Sequence, residues 1–170
     1  MAVICHYDSP LGKITLASDG DALIGLWFEG EKYYMENVKG ECKYEMLPVF
    51  EETKRWLDMY FGGKKPDFTP KLNMMTTPFR KEVWEIMLDI GYGETMSYGE
   101  IADIIAKRRR ITKMSARAVG GAVGHNSISV IIPCHRVIGS DGSLIGYAGG
   151  IERKIKLLEI EKNFVRSGHI

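Results

Sequence analysis

The sequence is poor in three features that mark common classes of protein: cysteine, long apolar runs and charge of one sign. Its three cysteines, Cys5, Cys42 and Cys134, are odd in number and widely spaced, which argues against a disulfide framework and suits a reducing compartment. No apolar run resembles a signal peptide or reaches the roughly 18 residues of a membrane-spanning helix. We therefore expect no membrane contact and a cytoplasmic protein, or a nuclear one in a eukaryote.

The net charge is only +1, but the two halves of the chain differ. Residues 1–70 contain 8 basic and 12 acidic side chains, whereas residues 71–170 contain 15 basic and 10 acidic ones. The positive second half is typical of a region that binds a polyanion, with chance scatter as the alternative.

Glycines and prolines within 62–70 break any regular element, so we predict an N-terminal domain over 1–70 and a C-terminal domain over 71–170. Segments 3–8, 13–18 and 23–28 predict three consecutive antiparallel strands. Segment 47–61 predicts a helix. Its candidate core residues are Val49, Phe50, Trp56, Leu57 and Tyr60. Residues 31–45 are polar and ambiguous.

The second half predicts helices. Thr77 and Ser97 are typical N-caps, the first followed by proline and the second forming a capping box. Residues 115–124 predict a helix with three glycines, each costing about 1 kcal/mol relative to alanine. A closely approaching nucleic-acid backbone or helix would explain them. Two helices followed by a strand-like segment indicate a helix-turn-helix. A final helix is predicted over 151–163, and its apolar side is formed by Ile151, Ile155 and Leu158.

The connection between the two motif helices is unusually basic. We expect its charged residues in or near the turn, either as a DNA contact or as a solvated insertion. These residues are Lys107, Arg108, Arg109, Arg110 and Lys113. Arg117, near the start of the second helix, is placed to reach a groove of DNA, with an ordinary surface arginine as the alternative.

The strongest chemical signal is the segment 131–139, Ile-Ile-Pro-Cys-His-Arg-Val-Ile-Gly. The apolar run 128–132 and Pro133 would hold Cys134 on a stiff backbone. His135 and Arg136 supply polar and positive surroundings, which lower a thiol pKa below its free value of about 8.5. The pattern indicates a nucleophilic cysteine, and a buried structural cysteine beside a surface histidine is the alternative.

Seven short motifs follow one another along residues 77–161. They are Tyr-Gly-Glu-Thr at 92–95, Ser-Tyr-Gly at 97–99, Ala-Arg-Ala-Val-Gly at 116–120, Asn126, Ile-Pro-Cys-His-Arg-Val-Ile at 132–138, Gly-Tyr-Ala-Gly-Gly at 146–150, and Leu-Leu at 157–158 before Glu161. In these motifs and their order, residues 77–161 closely resemble the O6-alkylguanine-DNA alkyltransferases, also called methylated-DNA–protein-cysteine methyltransferases. In the first half only Asp-Ser-Pro-Leu-Gly at 8–12 stands out.

The resemblance implies an α+β fold. The N-terminal α/β domain would contain a small antiparallel three-stranded, ribonuclease H-like sheet. The mostly helical C-terminal domain would contain a winged-helix-like helix-turn-helix. The implied function is DNA repair: one methyl or larger alkyl group moves irreversibly from O6 of guanine in duplex DNA to Cys134, with no cofactor. The protein would bind alkylated double-stranded DNA as a monomer, in the minor groove, and flip the damaged base. Activity toward O4-alkylthymine stays open.

The catalytic roles are also implied by the resemblance. Cys134 is the nucleophile, His135 takes the thiol proton through a water, and Glu161 orients the histidine. Side chains alternate on extended backbone, so a direct bond between Cys134 and His135 is not expected. Asn126 would hold the cysteine turn, unless it is only a helix C-cap.

The implied DNA contacts come from the helix-turn-helix, with Arg117 replacing the extruded base and Tyr98 crowding the 3′ phosphate. The full set is Tyr98, Ala116, Arg117, Ala118 and Gly120. Backbone carbonyls of Cys134 and Val137 would bind the exocyclic amine of guanine, and Tyr147 would donate to a ring nitrogen. Without the family, Tyr147 would be interpreted as a packed loop aromatic. The implied base pocket consists of Val137, Tyr147, Ala148 and Gly149.

The chain departs from the family in a longer, basic turn over 107–115, in Gly91 and in 125–127. Cys5 and His6 do not match the zinc ligands of some members, and two ligands cannot complete a tetrahedral site, so we predict no metal. His169 is interpreted as part of a mobile tail. Two other hypotheses stay open: a non-enzymatic helix-turn-helix protein that senses alkylated DNA, and a cysteine hydrolase. The cysteine, histidine and glutamate disfavour the first, and the lack of an evident oxyanion hole disfavours the second.

Overall fold

A computed structural model describes residues 1–144 and 146–166, without the side chains of 163–166; His169 lies outside the described residues. The N-terminal part forms a four-stranded sheet of β1 (Ala2–Ser9), β2 (Gly12–Ser18), β3 (Leu23–Phe28) and β4 (Cys42–Tyr44), in the order β3-β2-β1-β4. The three predicted antiparallel strands are confirmed. The short β4, which pairs parallel with β1, was not predicted because its segment is polar and only three residues long.

Strand β3 joins the sheet to the second half of the chain. All six of its residues are buried. Its free edge is covered by main-chain bonds in which Leu26 donates to the Ser127 carbonyl at 2.8 Å and Ser129 donates to the Leu26 carbonyl at 2.9 Å. These bonds satisfy an edge that would otherwise be exposed. One hydrophobic cluster consequently includes residues from the sheet, from helix α1 (Pro48–Phe61) and from the later helices.

Two helices begin at the predicted caps Thr77 and Ser97, and a third begins at Ser115, which was predicted only as the start of a helical segment. The side chains of Thr77, Ser97 and Ser115 accept bonds from backbone N–H groups of α2 (Pro78–Leu88), α3 (Tyr98–Arg109) and α4 (Ala116–Gly124), respectively. Helices α3 and α4 pack together as the predicted helix-turn-helix. The basic residues lie in or near the turn, as expected: Lys107–Arg109 form the last turn of α3, Arg110 is its C-cap, and Lys113 lies in the connection to α4.

The last helix, α5 (Ile151–Arg166), buries a different face from the one the apolar pattern suggests. Ile151 and Ile155 are exposed, whereas Lys154, Leu157 and Glu161 are buried. The buried polar residues face the site described below, where partners satisfy them. No helix in the described part of the chain has the length and apolar character needed to cross a membrane.

Candidate active site around Cys134

The backbone that leads to Cys134 is held by one buried asparagine. The Asn126 amide nitrogen donates to the Ile132 carbonyl at 2.8 Å, and its oxygen accepts from the Ile128 N–H at 3.0 Å. The C-cap of α4 is His125, so Asn126 acts on the following segment rather than as the cap. Within that segment Val130 has a φ of 70°, which is strained for a β-branched residue. Asn126 therefore braces a strained loop immediately before the cysteine.

Cys134 begins a single turn of 3-10 helix, Cys134–Arg136. The expected extended backbone at Cys134 and His135 is therefore wrong. Cys134 is only 4% exposed. Burial raises its pKa to about 12, and a hydrogen bond from Asn126 and the charge of Lys154 only partly oppose this effect. The expectation that His135 and Arg136 lower the thiol pKa is wrong, because both side chains are engaged elsewhere and desolvation dominates.

His135 and Glu161 form a fully buried pair. The His135 Nε2 atom lies 2.5 Å from Glu161 Oε2, and the Tyr60 hydroxyl donates to the same oxygen at 2.6 Å. Burial lowers the pKa of His135, although Glu161 opposes this, so the imidazole is neutral. Because a carboxylate only accepts, Nε2 carries the proton and Nδ1 is the basic nitrogen. Nδ1 has no hydrogen-bond partner among the described residues.

Arg136 supplies the charge that keeps Glu161 ionised. Its Nε donates to Glu161 Oε1 at 2.9 Å, and a second nitrogen donates to the Ile90 carbonyl at 2.7 Å. Oε1 also accepts from the Gly93 N–H at 2.9 Å. Burial alone would raise the pKa of Glu161, but the hydrogen bonds from His135 and Arg136 and the charge of Arg136 outweigh it and hold the pKa at about 2.

Lys154 is a buried residue of the site that sequence reasoning missed. Its ammonium group donates to the Val137 carbonyl at 2.6 Å, and its charge lowers the pKa of Cys134. Burial lowers the pKa of Lys154 itself. The only sequence signal was its helical spacing of seven residues from Glu161, which puts both on one face of α5.

The loop that carries Tyr147 closes over the thiol. The rings of Tyr98 and Tyr147 lie near enough to Cys134 that a thiolate would raise the pKa of both phenols. Gly149 makes this closure possible, since a Cβ there would lie 2.6 Å from the Tyr147 ring. Ala148 is half-buried, and its carbonyl accepts from the Lys32 N–H at 3.0 Å. Of the four predicted pocket residues, Val137 donates its N–H to the Cys134 carbonyl and Tyr147 lies near the thiol, while Ala148 and Gly149 adjoin Tyr147 in the same loop.

A second missed residue, Glu31, reaches this loop from the N-terminal half. Its carboxyl group is buried and accepts from the Ser129 hydroxyl at 3.0 Å. Burial raises the pKa of Glu31 to about 8, despite the opposing Ser129 bond and the charge of Arg153. Arg153 itself bonds the carbonyls of Leu11 and Gly149. A glutamate in a polar segment gives no sequence signal of burial.

The predicted DNA contacts lie on the outer surface of α3 and α4. Ala116, Arg117 and Ala118 are exposed in the first turn of α4. Tyr98 is half-buried at the start of α3, and a Cβ at Gly120 would meet its ring at 3.8 Å. A single surface therefore runs from the small-residue helix over Tyr98 to the cysteine. Within the described residues, no group of three or more His, Cys, Asp or Glu side chains is arranged to hold a metal ion.

The fold and site define an α+β protein in which a helix-turn-helix adjoins a buried thiol and a histidine–carboxylate pair. Two family models match the chain: the DNA binding domain of 6-O-methylguanine DNA methyltransferase over residues 78–163, and its ribonuclease-like domain over residues 4–74. The chain therefore belongs to the 6-O-methylguanine DNA methyltransferase family.

Individual relatives agree with this assignment. The methylated-DNA--protein-cysteine methyltransferase of Mycobacterium leprae is 43% identical over 161 residues, covering 93% of this chain and 91% of that protein. The protein of the same name from Methanosarcina barkeri is 43% identical over 171 residues, covering 95% and 99%. The crystal structure of Mycobacterium tuberculosis OGT in complex with DNA is 42% identical, covers 95% of this chain and 94% of that one, and superposes with a TM-score of 0.83.

Proposed function

We propose that this protein repairs DNA by moving an alkyl group from O6 of guanine in duplex DNA to the sulfur of Cys134. The S–C bond forms as the C–O6 bond breaks, and guanine departs. The observation that carries the proposal is the buried thiol beside a neutral His135 whose Nδ1 is free to accept a proton. Membership of the family supports the choice of substrate.

Burial of Cys134 makes base flipping a geometric requirement. A base stacked in a duplex cannot reach the thiol of a residue that is 4% exposed, so the damaged nucleotide must leave the stack, at a cost of a few kcal/mol. The exposed turn with Ala116, Arg117 and Ala118 docks in the minor groove. Arg117 fills the gap left by the base, and Tyr98 presses on the adjacent 3′ phosphate.

The thiol proton is transferred to His135, which is paired with Glu161. At neutral pH the thiol is protonated because its pKa is about 12. His135 Nδ1 takes the proton through one water molecule, and the ionised Glu161 stabilises the imidazolium that results. The Asn126 amide and the Lys154 ammonium stabilise the negative charge that develops on sulfur. This role is supported by their effect on the pKa of Cys134, which both groups lower and burial raises.

Guanine is recognised by groups that retain free hydrogen-bonding capacity. The Cys134 carbonyl accepts one bond from the Val137 N–H, and the Val137 carbonyl accepts one from Lys154. Each carbonyl has a second lone pair for the exocyclic amine of guanine. The Tyr147 hydroxyl donates to a ring nitrogen of the leaving base. Ala148 offers only its backbone N–H to O6.

Groups from the first 70 residues form hydrogen bonds with the part of the site that the second half of the chain supplies. Tyr60 of α1 bonds Glu161, Glu31 bonds Ser129, and Lys32 bonds the carbonyl of Ala148. This arrangement supports a division into an N-terminal supporting domain and a C-terminal domain that binds DNA and transfers the alkyl group. The three free thiols suit the cytoplasm of a prokaryote or the nucleus of a eukaryote.

The product is a thioether with no good leaving group, so each molecule acts once. The test is incubation with a duplex that carries labelled O6-methylguanine, followed by mass spectrometry. One label per protein on Cys134, and none in Cys134→Ser, is the expected result. Continued release of label would indicate a hydrolase, and binding without transfer would indicate a sensor; either result would contradict the proposal.

A further inference from the structure

The basic run at the end of α3 has no part in the proposed chemistry. The sequence contains no acidic residue from 104 to 140. Of the basic residues there, Arg109 is paired with Glu82 at 2.7 Å and lies over the Phe79 ring. Five others are exposed and have no ion-pair partner within the described part of the chain: Arg117, which the proposed function already uses, and Lys107, Arg108, Arg110 and Lys113. Their charge is therefore left uncompensated by the protein.

Arg110 occupies a position that suits glycine. It ends α3 with φ 55° and ψ 41°, the left-handed conformation. The geometry is fixed by the Ile111 N–H, which donates to the Ala106 carbonyl at 3.0 Å. Glycine is the usual residue at such a helix end because an L side chain is strained there. The chain thus carries a positive charge at a point where the fold alone would favour glycine.

The basic run is continuous with the surface that the proposed function puts on DNA. Lys113 lies two residues before Ser115, the N-cap of α4, and Arg117 lies in the first turn of that helix. Tyr98 stands at the opposite end of α3, which at 1.5 Å per residue is about 18 Å away. Lys107, Arg108 and Arg110 therefore lie at the end of α3 that is remote from Tyr98, the residue that the proposed function puts beside the flipped nucleotide.

We infer that Lys107, Arg108, Arg110 and Lys113 form a phosphate-binding surface that grips the DNA backbone several nucleotides from the lesion. The inference rests on the proposed function. The surface adds affinity for any duplex and no chemistry, because phosphates carry no sequence information. Each phosphate contact releases counterions and contributes about −0.9 to the slope of log affinity against log salt concentration.

The test measures binding to an unmodified duplex at several salt concentrations. The variants are Arg110→Gly and the double variant Arg108→Ala/Lys113→Ala. The matched control is Lys64→Ala/Lys65→Ala, which removes two exposed charges from the N-terminal half. Reaction of each protein with free O6-benzylguanine reports the chemistry without DNA.

We expect the slope to flatten by about 0.9 in Arg110→Gly and by about 1.8 in the double variant, with wild-type reaction toward the free base. Arg110→Gly should also raise the melting temperature, by about 2 °C, because strain is relieved. An unchanged slope, or an equal change in the control, would overturn the phosphate surface. Failure of the unsubstituted protein to take up label from a duplex that carries labelled O6-methylguanine would instead overturn the proposed function.

Discussion

The buried carboxyl group of Glu31 makes a quantitative prediction about stability and pH. Its pKa is about 8 in the folded protein, raised by burial from an ordinary value of 4.5. The folded state therefore holds this proton over a pH range in which the unfolded chain has lost it. The free energy of unfolding is highest below pH 4.5, falls as the pH rises, and stops falling above pH 8.

The magnitude follows from the two pKa values. At about 1.36 kcal/mol per pKa unit, Glu31 lowers the free energy of unfolding by about 3 kcal/mol at pH 7, and by about 5 kcal/mol above pH 9, relative to acid conditions. Glu31→Gln keeps the shape and the capacity to bond Ser129 but cannot ionise. We expect this variant to match the wild type near pH 5, to within about 1 kcal/mol, and to exceed it by several kcal/mol at pH 9.

The assay is urea unfolding of both proteins at pH 5, 7 and 9. Glu29→Gln is the matched control, since Glu29 is exposed two residues away, and its effect should stay within about 0.5 kcal/mol throughout. A difference between Glu31→Gln and the wild type that does not grow with pH would refute the assignment of a buried, protonated Glu31.

Three further changes test the site itself. Gly149→Ala puts a Cβ 2.6 Å from the Tyr147 ring, so alkyl transfer from free O6-benzylguanine should slow at least about tenfold and stability should fall by about 1–3 kcal/mol in chemical unfolding. Tyr60→Phe removes the 2.6 Å bond to Glu161 and should cost about 1.5–3 kcal/mol of unfolding free energy; a loss below 0.5 kcal/mol would contradict that bond. Arg117→Ala should slow repair of duplex DNA more than reaction with the free base, and equal losses on both substrates would remove Arg117 from base flipping.

The sequence predicts best what is determined locally. The caps Thr77 and Ser97 and the three long strands follow from residue preferences within a few positions, and the structure contains them. The apolar pattern of α5 predicted the wrong buried face, because such a pattern takes no account of polar side chains that are buried together with their hydrogen-bond partners. Ile155 is exposed, whereas Lys154 is buried with its ammonium on a carbonyl that a distant element supplies.

The residues that were missed share one property. Glu31 and Lys154 enter the site from segments that are far apart in sequence, and each is buried because a tertiary partner satisfies its polar group. Charged side chains are ordinarily exposed, so single-sequence patterns predict a glutamate and a lysine to lie at the surface. Only the assembled fold brings them to the cysteine.

The ionisation of Cys134 was also predicted incorrectly from its neighbours, and the reason bears on how a protein that acts once protects itself. With a pKa of about 12, about one thiol in 10⁵ is ionised at pH 7, so a stray electrophile meets a buried and largely unreactive group. Activation then has to come from a base that is already in place. In the proposed mechanism His135 has that role, because its bond to Glu161 leaves Nδ1 unprotonated, while Arg136 bonds Glu161 and keeps it charged. In that mechanism the positive charge two residues after Cys134 acts on sulfur indirectly, through the carboxylate and the imidazole.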